Sequence, residues 1–94
     1  MRALRWTSPA EDDLAEIDAY WCNYSIERAD QILDTIKAAA EFLGGLPEAG
    51  PATEMEDFRK WLVGGTKYIL VYRIVAGEIE ILRVEHASKN WRAI

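Results

Sequence analysis

The side chains able to do chemistry gather in the second half of the chain. Arg59, Lys60, Lys67, Arg73, Arg83, His86, Lys89 and Arg92 supply positive charge, with Tyr68, Tyr72 and Trp91 among them. Such a set could grip an acidic protein surface, or stabilise charge developing on a phosphate. His86, the one histidine, could serve as an acid or base near neutral pH. Its plainer reading is a polar residue at a strand end, and that of Trp91 is a packing anchor folding back from the tail. Other signatures are missing. One histidine and one cysteine, Cys22, cannot build a zinc site. No glycine loop resembles a phosphate cradle, and no serine has a recognisable base nearby. The sequence thus points to no cofactor and no metal. Cys22 reads as an inert, packed thiol.

Positioning these groups falls mainly to one stretch, Tyr68 to Glu85. It reads as two strands, Tyr68–Val75 and Glu78–Glu85, joined at Ala76-Gly77, where Gly77 supplies the positive φ of a two-residue hairpin loop. Pairing Val75 with Glu78 places Ile74 opposite Ile79, Arg73 opposite Glu80, Tyr72 opposite Ile81 and Val71 opposite Leu82. Apolar meets apolar and arginine meets carboxylate, so the register is well specified. Alternation then defines two faces. Tyr68, Leu70, Tyr72, Ile74, Ile79 and Ile81, with Arg83 and Glu85 at the far end, form the face expected to pack on helices. Ile69, Val71, Arg73, Glu80, Leu82, Val84 and His86 form a mixed face, expected to be a binding surface. Its apolar members, Ile69, Val71, Leu82 and Val84, lack an obvious cover, and an exposed patch of that kind marks an interaction site.

The first half supplies the helices. Arg2–Thr7 alternates as a short strand. Ser8-Pro9-Ala10-Glu11 is a helix start, with Ser8 as cap, Pro9 in the first helical position and Glu11 closing a capping box. Leu14, Ile17, Trp21 and Tyr24 follow at helical spacing, giving a first helix from Pro9 to about Asn23, with Trp21 and its neighbouring tyrosines as core. Ser25 caps a second helix from Ile26 to about Leu43, with Ala29, Ile32, Leu33, Ile36, Ala40 and Leu43 as its apolar stripe. Gly44-Gly45 ends it and Pro47 stands beyond. The short joint makes the helices antiparallel. After a loop over 46–57, Phe58–Val63 resumes strand character and Gly64-Gly65 turns the chain into the hairpin. The order is β-α-α-β-β-β, a helical hairpin on a small, mostly antiparallel sheet in an α+β domain.

The 94 residues, half of them hydrophobic, fit one domain spanning 1–94. No stretch approaches the roughly 20 apolar residues of a membrane span, and residues 1–13 lack the apolar run of a signal peptide. With a single cysteine, these features predict a cytoplasmic protein. The net charge of −5 hides an asymmetry: residues 1–57 carry −9 and residues 58–94 carry +4. Overall acidity argues against general nucleic-acid binding, while the basic half suits an acidic partner.

The ordered set of residues resembles a known family. Ser8-Pro9 with Ala10, Asp13, Leu14 and Ile17 begins the match. Ala29, Ile32, Ile36, Leu43, Pro47 and Gly50 continue it, and Arg59, Tyr68, Leu70, Tyr72, Ile81-Leu82-Arg83-Val84 and His86 sharpen it. The string ILRVEHASKNW looks like the C-terminal signature of the ParE branch of the RelE/ParE superfamily, toxins of bacterial toxin–antitoxin pairs. The resemblance implies the RelE/ParE-like β-α-α-β-β-β fold, a cognate antitoxin, and DNA gyrase as the target. It also implies a toxin–antitoxin heterotetramer or larger assembly, and no direct sequence-specific nucleic-acid binding. Arg59, Arg73, Arg83, His86 and Lys89 match positions expected to contact the target. Antitoxins of the family wrap a C-terminal segment, disordered alone, around the toxin; here it is expected on Ile69, Val71, Leu82 and Val84. The RelE branch instead cleaves messenger RNA on the ribosome. This chain departs from that pattern: Ile69 follows Tyr68 where ribonuclease members often carry arginine, and the tail offers Lys89 and Trp91 where arginine and tyrosine are commoner.

Overall fold

The computed structural model describes residues 4–50 and 58–87. Arg2, Lys89, Trp91, Arg92 and the segment 51–57 lie outside the described residues. The elements run β1 (Leu4–Trp6), α1 (Ser8–Cys22), α2 (Ile26–Gly45), β2 (Arg59–Leu62), β3 (Tyr68–Val75) and β4 (Glu78–His86). This is the expected β-α-α-β-β-β order.

The cap of α1 lies one residue earlier than the sequence suggests. Thr7, extended at φ −72°, ψ 162°, accepts from the Ala10 N–H through its side chain, and Ser8 and Pro9 form the first turn. Thr7 also donates from its hydroxyl to the carbonyls of Ile81 and Leu82, each at 3.0 Å. Thr7 takes the cap in place of Ser8 because it joins helix to sheet at the same time. Ser25 caps α2 as expected, accepting from Arg28 N–H at 3.1 Å. Gly44 and Gly45 complete the last turn of α2 rather than ending it at Leu43.

The four strands form one sheet in the order β1-β4-β3-β2. β1 runs parallel to β4; the other two pairs are antiparallel. Between β3 and β4 lies Ala76-Gly77, with φ of 52° and 81°. Both turn residues are left-handed, which matches the twist of the flanking strands.

The register holds as expected from Val75↔Glu78 through Tyr72↔Ile81 and then changes. Val71 pairs with Arg83, Leu70 with Val84, Ile69 with Glu85 and Tyr68 with His86. Leu82 is an extra residue, a β-bulge. The unbulged pairing of Val71 with Leu82 would have turned Arg83 and Glu85 toward the helices. The bulge instead exchanges sides for everything after it. Val84 is buried at 6% exposure within the core, so it does not belong to the open patch assigned to it above.

The core lies between the helical hairpin and one sheet face. Ala10, Ile17, Ile36, Ala40 and Leu43 meet Leu70, Tyr72, Ile79, Ile81 and Val84, with Ile32, Leu33 and Trp21 packed at its margin. Two expectations at the helical joint fail. Tyr20 and Tyr24 are 53% and 69% exposed rather than core, and Cys22 is exposed rather than packed. Helix α1 turns only its Ala10–Ile17 side inward, and beyond Trp21 the chain has already left the sheet for the joint. Among the described residues, no helix is long and apolar enough to cross a membrane.

Candidate functional site

The face of the sheet away from the helices is built in rows by the strand register. In the first row Glu80 lies between Arg5 of β1 and Arg73 of β3. Its carboxylate accepts from Arg73 Nε at 2.7 Å and from Arg5 Nη2 at 3.0 Å. The Arg73 hydrogen bond, working against partial desolvation and reinforced by the charges of Arg73 and Arg5, holds the Glu80 carboxyl below the usual range. In the second row Val71 lies between Arg83, beside the bulged Leu82, and Lys60 of β2. In the third, Ile69 lies between Glu85 and Leu62, whose side chain is 57% exposed. Lys60 Nζ stands 3.9 Å from Glu85. Val71 thus has charges on either side, while Ile69 has Glu85 on one side and the exposed Leu62 on the other. Val71 itself is buried, and Ile69 and Leu82 are half-buried, so the patch is less open than its sequence pattern suggests.

Arg83 occupies the second row, not the helix-facing side expected for it. At the bulge β1 no longer flanks β4, and the guanidinium reaches α1. Asp13 accepts from Arg83 Nε at 2.7 Å and Nη2 at 3.0 Å, and from the Val84 N–H at 2.9 Å. The bulge frees that backbone N–H, and Asp13, only 9% exposed, satisfies it.

Arg59 and His86 lie elsewhere. Arg59 pairs with Tyr72 on the core side and donates from Nη1 to the Gly50 carbonyl at 2.8 Å. The Tyr72 hydroxyl accepts from Gly50 N–H at 3.0 Å and donates to the Pro47 carbonyl at 2.7 Å. Burial pushes that hydroxyl above its usual pKa, while the Gly50 N–H and the Arg59 charge pull it back. A side chain at Gly50 would come within 2.8 Å of the hydroxyl and 2.7 Å of the Lys60 carbonyl. Arg59 and Tyr72 therefore pin the 47–50 loop to the sheet. His86 is turned by the bulge to the side of Tyr68, edge-on to its ring with centroids 5.3 Å apart. Tyr68 in turn accepts from Trp21 Nε1 at 3.0 Å.

The described members of the expected target-contact set therefore do not converge. Arg73 and Arg83 share the open face, while Arg59 and His86 lie on the other. Along β3, the row of Arg73 and the row of His86 are five residues apart, about 17 Å at strand rise. Among the described residues, no group of three or more His, Cys, Asp or Glu is placed to hold a metal. The arrangement suits docking by charge and apolar contact. Two contributors escape a reading of the sequence. Arg5 joins only through parallel pairing with a strand some 75 residues away, which leaves no local signal. Asp13 leaves one: it is an acid within the inward stripe of α1, three residues after Ala10 and four before Ile17.

Comparison with known proteins agrees with this architecture. A chain of the chromosomal ParDE toxin–antitoxin system from P. aeruginosa superposes with a TM-score of 0.83 at 24% identity, covering 94% of this chain and 98% of that one. The intact RelBE toxin–antitoxin complex of E. coli gives a TM-score of 0.61 at 18% identity, covering 95% of this chain and all of the matched one. The conserved hypothetical protein HP0894 of Helicobacter pylori gives 0.59 at 15% identity, covering 94% and 97%. At these identities the likeness is one of fold. No curated protein sequence gives a significant match. The family of ParE toxins of type II toxin–antitoxin systems, parDE, matches residues 4–91. With nearly the whole chain matched, in sequence and in fold, this protein belongs to the ParE toxin family.

Proposed function

We propose that this ParE-family chain inhibits DNA gyrase by protein–protein contact and is neutralised by a cognate antitoxin, with which it forms a heterotetramer or larger assembly. The observation that carries the first part is the separation of the described basic groups. His86 packs on Tyr68, Arg59 holds the 47–50 loop, Arg83 is bound to Asp13, and Arg73 lies about 17 Å from His86 along the strands. Phosphodiester cleavage needs acid, base and charge stabilisers around one reacting group; contact with a protein surface does not. Of the expected contact residues, Arg73 and Arg83 have open side chains, 47% and 53% exposed, and Lys89 completes the set in the proposal. Inhibition of purified gyrase in a supercoiling assay, with ribosome-dependent translation unaffected, is the expected result. Messenger RNA cleavage on added ribosomes, lost on changing His86 or Lys89, would instead assign the ribonuclease activity of the RelE branch.

The antitoxin segment is placed on the open sheet face, over Ile69, Val71 and Leu82, with acidic groups meeting Arg5 and Arg73. Supporting this are Val71 set between Arg83 and Lys60, Ile69 beside the exposed Leu62, and the partial exposure of Ile69 and Leu82. Leu82→Asp should weaken antitoxin binding by about 2 kcal/mol if Leu82 is an interface anchor, with a smaller loss of domain stability. Titration of the cognate antitoxin onto both proteins measures it.

A further inference from the structure

The acidic half of the molecule carries a surface that the sheet does not explain. At the joint between α1 and α2, Tyr20, Tyr24 and Ile26 are 53%, 69% and 69% exposed. The rings of Tyr20, Trp21 and Tyr24 pack against one another with centroids 5.3 to 5.9 Å apart. Trp21 is fixed by its hydrogen bond to Tyr68, so the cluster is held rigid from beneath. Tyrosine rings presented in this way give large contact area at low entropic cost, and are favoured at protein interfaces. From the joint a shallow groove runs between the helices, lined by Leu14, Ala15 and Leu33, by the carboxylates of Asp18, Asp30 and Asp34, and by Lys37. Residues 14–37 hold five acids against two bases, Arg28 and Lys37, and the Arg28 guanidinium lies 6.0 Å from the Trp21 ring centroid.

We infer that this tip and the acidic groove behind it dock on the cationic, DNA-holding surface of the target enzyme. The inference rests on the gyrase reading above. An enzyme that holds DNA must present lysines and arginines where the phosphates lie. The carboxylates of Asp18, Asp30 and Asp34 complement that charge, and the exposed aromatic cluster supplies the apolar centre of the contact. Arg5, Arg73 and Arg83 on the sheet have the wrong sign for that DNA-holding surface and are left for acidic parts of the target or of the antitoxin.

Binding to immobilised purified DNA gyrase tests this with four proteins. The pair Tyr24→Ser with Ile26→Ser is expected to raise Kd tenfold or more, while Tyr24→Phe stays within twofold of the unmodified chain. The pair Asp18→Asn with Asp30→Asn is expected to raise Kd severalfold at low salt and to flatten its salt dependence. A short duplex DNA should compete with the unmodified chain. Thermal unfolding by circular dichroism checks that each variant is folded, with Tyr24, Ile26 and Asp30 exposed and Asp18 half-buried. Unchanged affinity in both pairs would overturn the docking surface and leave gyrase as target. Binding undiminished by DNA would overturn the DNA-holding surface as its site. Absence of binding by the unmodified chain would overturn the gyrase reading and this inference together.

Discussion

Asp13 receives three hydrogen bonds from β4, two from Arg83 and one from the Val84 N–H. The two partners differ in what their loss exposes. Asp13→Ala strands a buried backbone donor as well as a guanidinium, at a cost of about 2 kcal/mol. Arg83 has a side chain 53% exposed, and Arg83→Ala leaves Asp13 still bonded to the backbone; about 1 kcal/mol is expected. Chemical denaturation of both variants should rank them in that order. A larger loss in Arg83→Ala would mean that the ion pair, not the freed N–H, is the stabilising part. Glu80 gives a pH-dependent counterpart. Its folded pKa is lowered, chiefly by Arg73, so it contributes stability above its unfolded pKa that is lost as pH falls through the folded one. Glu80→Gln should therefore be less stable than the unmodified chain at neutral pH, with the two converging in acid. Melting temperatures of the pair across pH 7 to about pH 3 give the curve.

At the scale of elements, the hairpin combines a matched register with two strained or irregular points. Ala76 holds a φ of 52°, a left-handed conformation that costs a residue with a Cβ about 1 kcal/mol or more. Asparagine tolerates that region, and Asn-Gly is the preferred pair for such a turn. Ala76→Asn should raise stability by up to about 1 kcal/mol, seen as a higher denaturation midpoint with unchanged slope. Much of this architecture is legible in the chain. The helices announce themselves by their stripes, and the turn-proximal register by Arg73 facing Glu80 and Ile74 facing Ile79. The bulge is not, because period-two alternation has no place for an extra residue. A signal does exist: strict alternation puts Arg83 and Glu85 on the helix-facing side, and inserting Leu82 as an unpaired residue turns both away and brings Val84 inward. The same shift carries His86 across to Tyr68, so an error of one residue reassigns half of the candidate site. The contact of Arg59 with the 47–50 loop is hidden from the sequence for a different reason. A basic residue at a strand start reads as surface charge, and its partner, the Gly50 carbonyl, lies in a loop whose path no periodicity describes.

Across the whole molecule, charge is sorted by layer. The helices carry exposed Glu11, Asp12, Glu16, Glu27, Asp30, Asp34 and Glu41 with Arg28 and Lys37, whereas the open sheet face carries Arg5, Arg73 and Arg83. On the sheet, opposite charges meet: Arg5, Glu80 and Arg73 form one connected row. On the helices, like charges meet at helical spacing, Asp12 with Glu16 and Asp30 with Asp34, each pair costing roughly 0.2–0.5 kcal/mol. Salt acts on the two layers with opposite sign. It weakens exposed pairs on the sheet, worth roughly 0–1 kcal/mol at best, and relieves repulsion among the more numerous helical carboxylates. With a net charge of −5, repulsion is the larger effect at long range, where a screening length falling from about 30 Å at 0.01 M to about 8 Å at 0.15 M matters most. The isolated domain should therefore melt higher by a few degrees as sodium chloride rises over that range, since 1 kcal/mol corresponds to about 4–8 °C for a domain of this size. A falling melting temperature would mean that the sheet pairs dominate and the helical face is not under electrostatic strain. If the temperature rises, the same repulsion is available to be relieved by a cationic protein surface laid along α1 and α2, and association with it should weaken in the salt that stabilises the free domain.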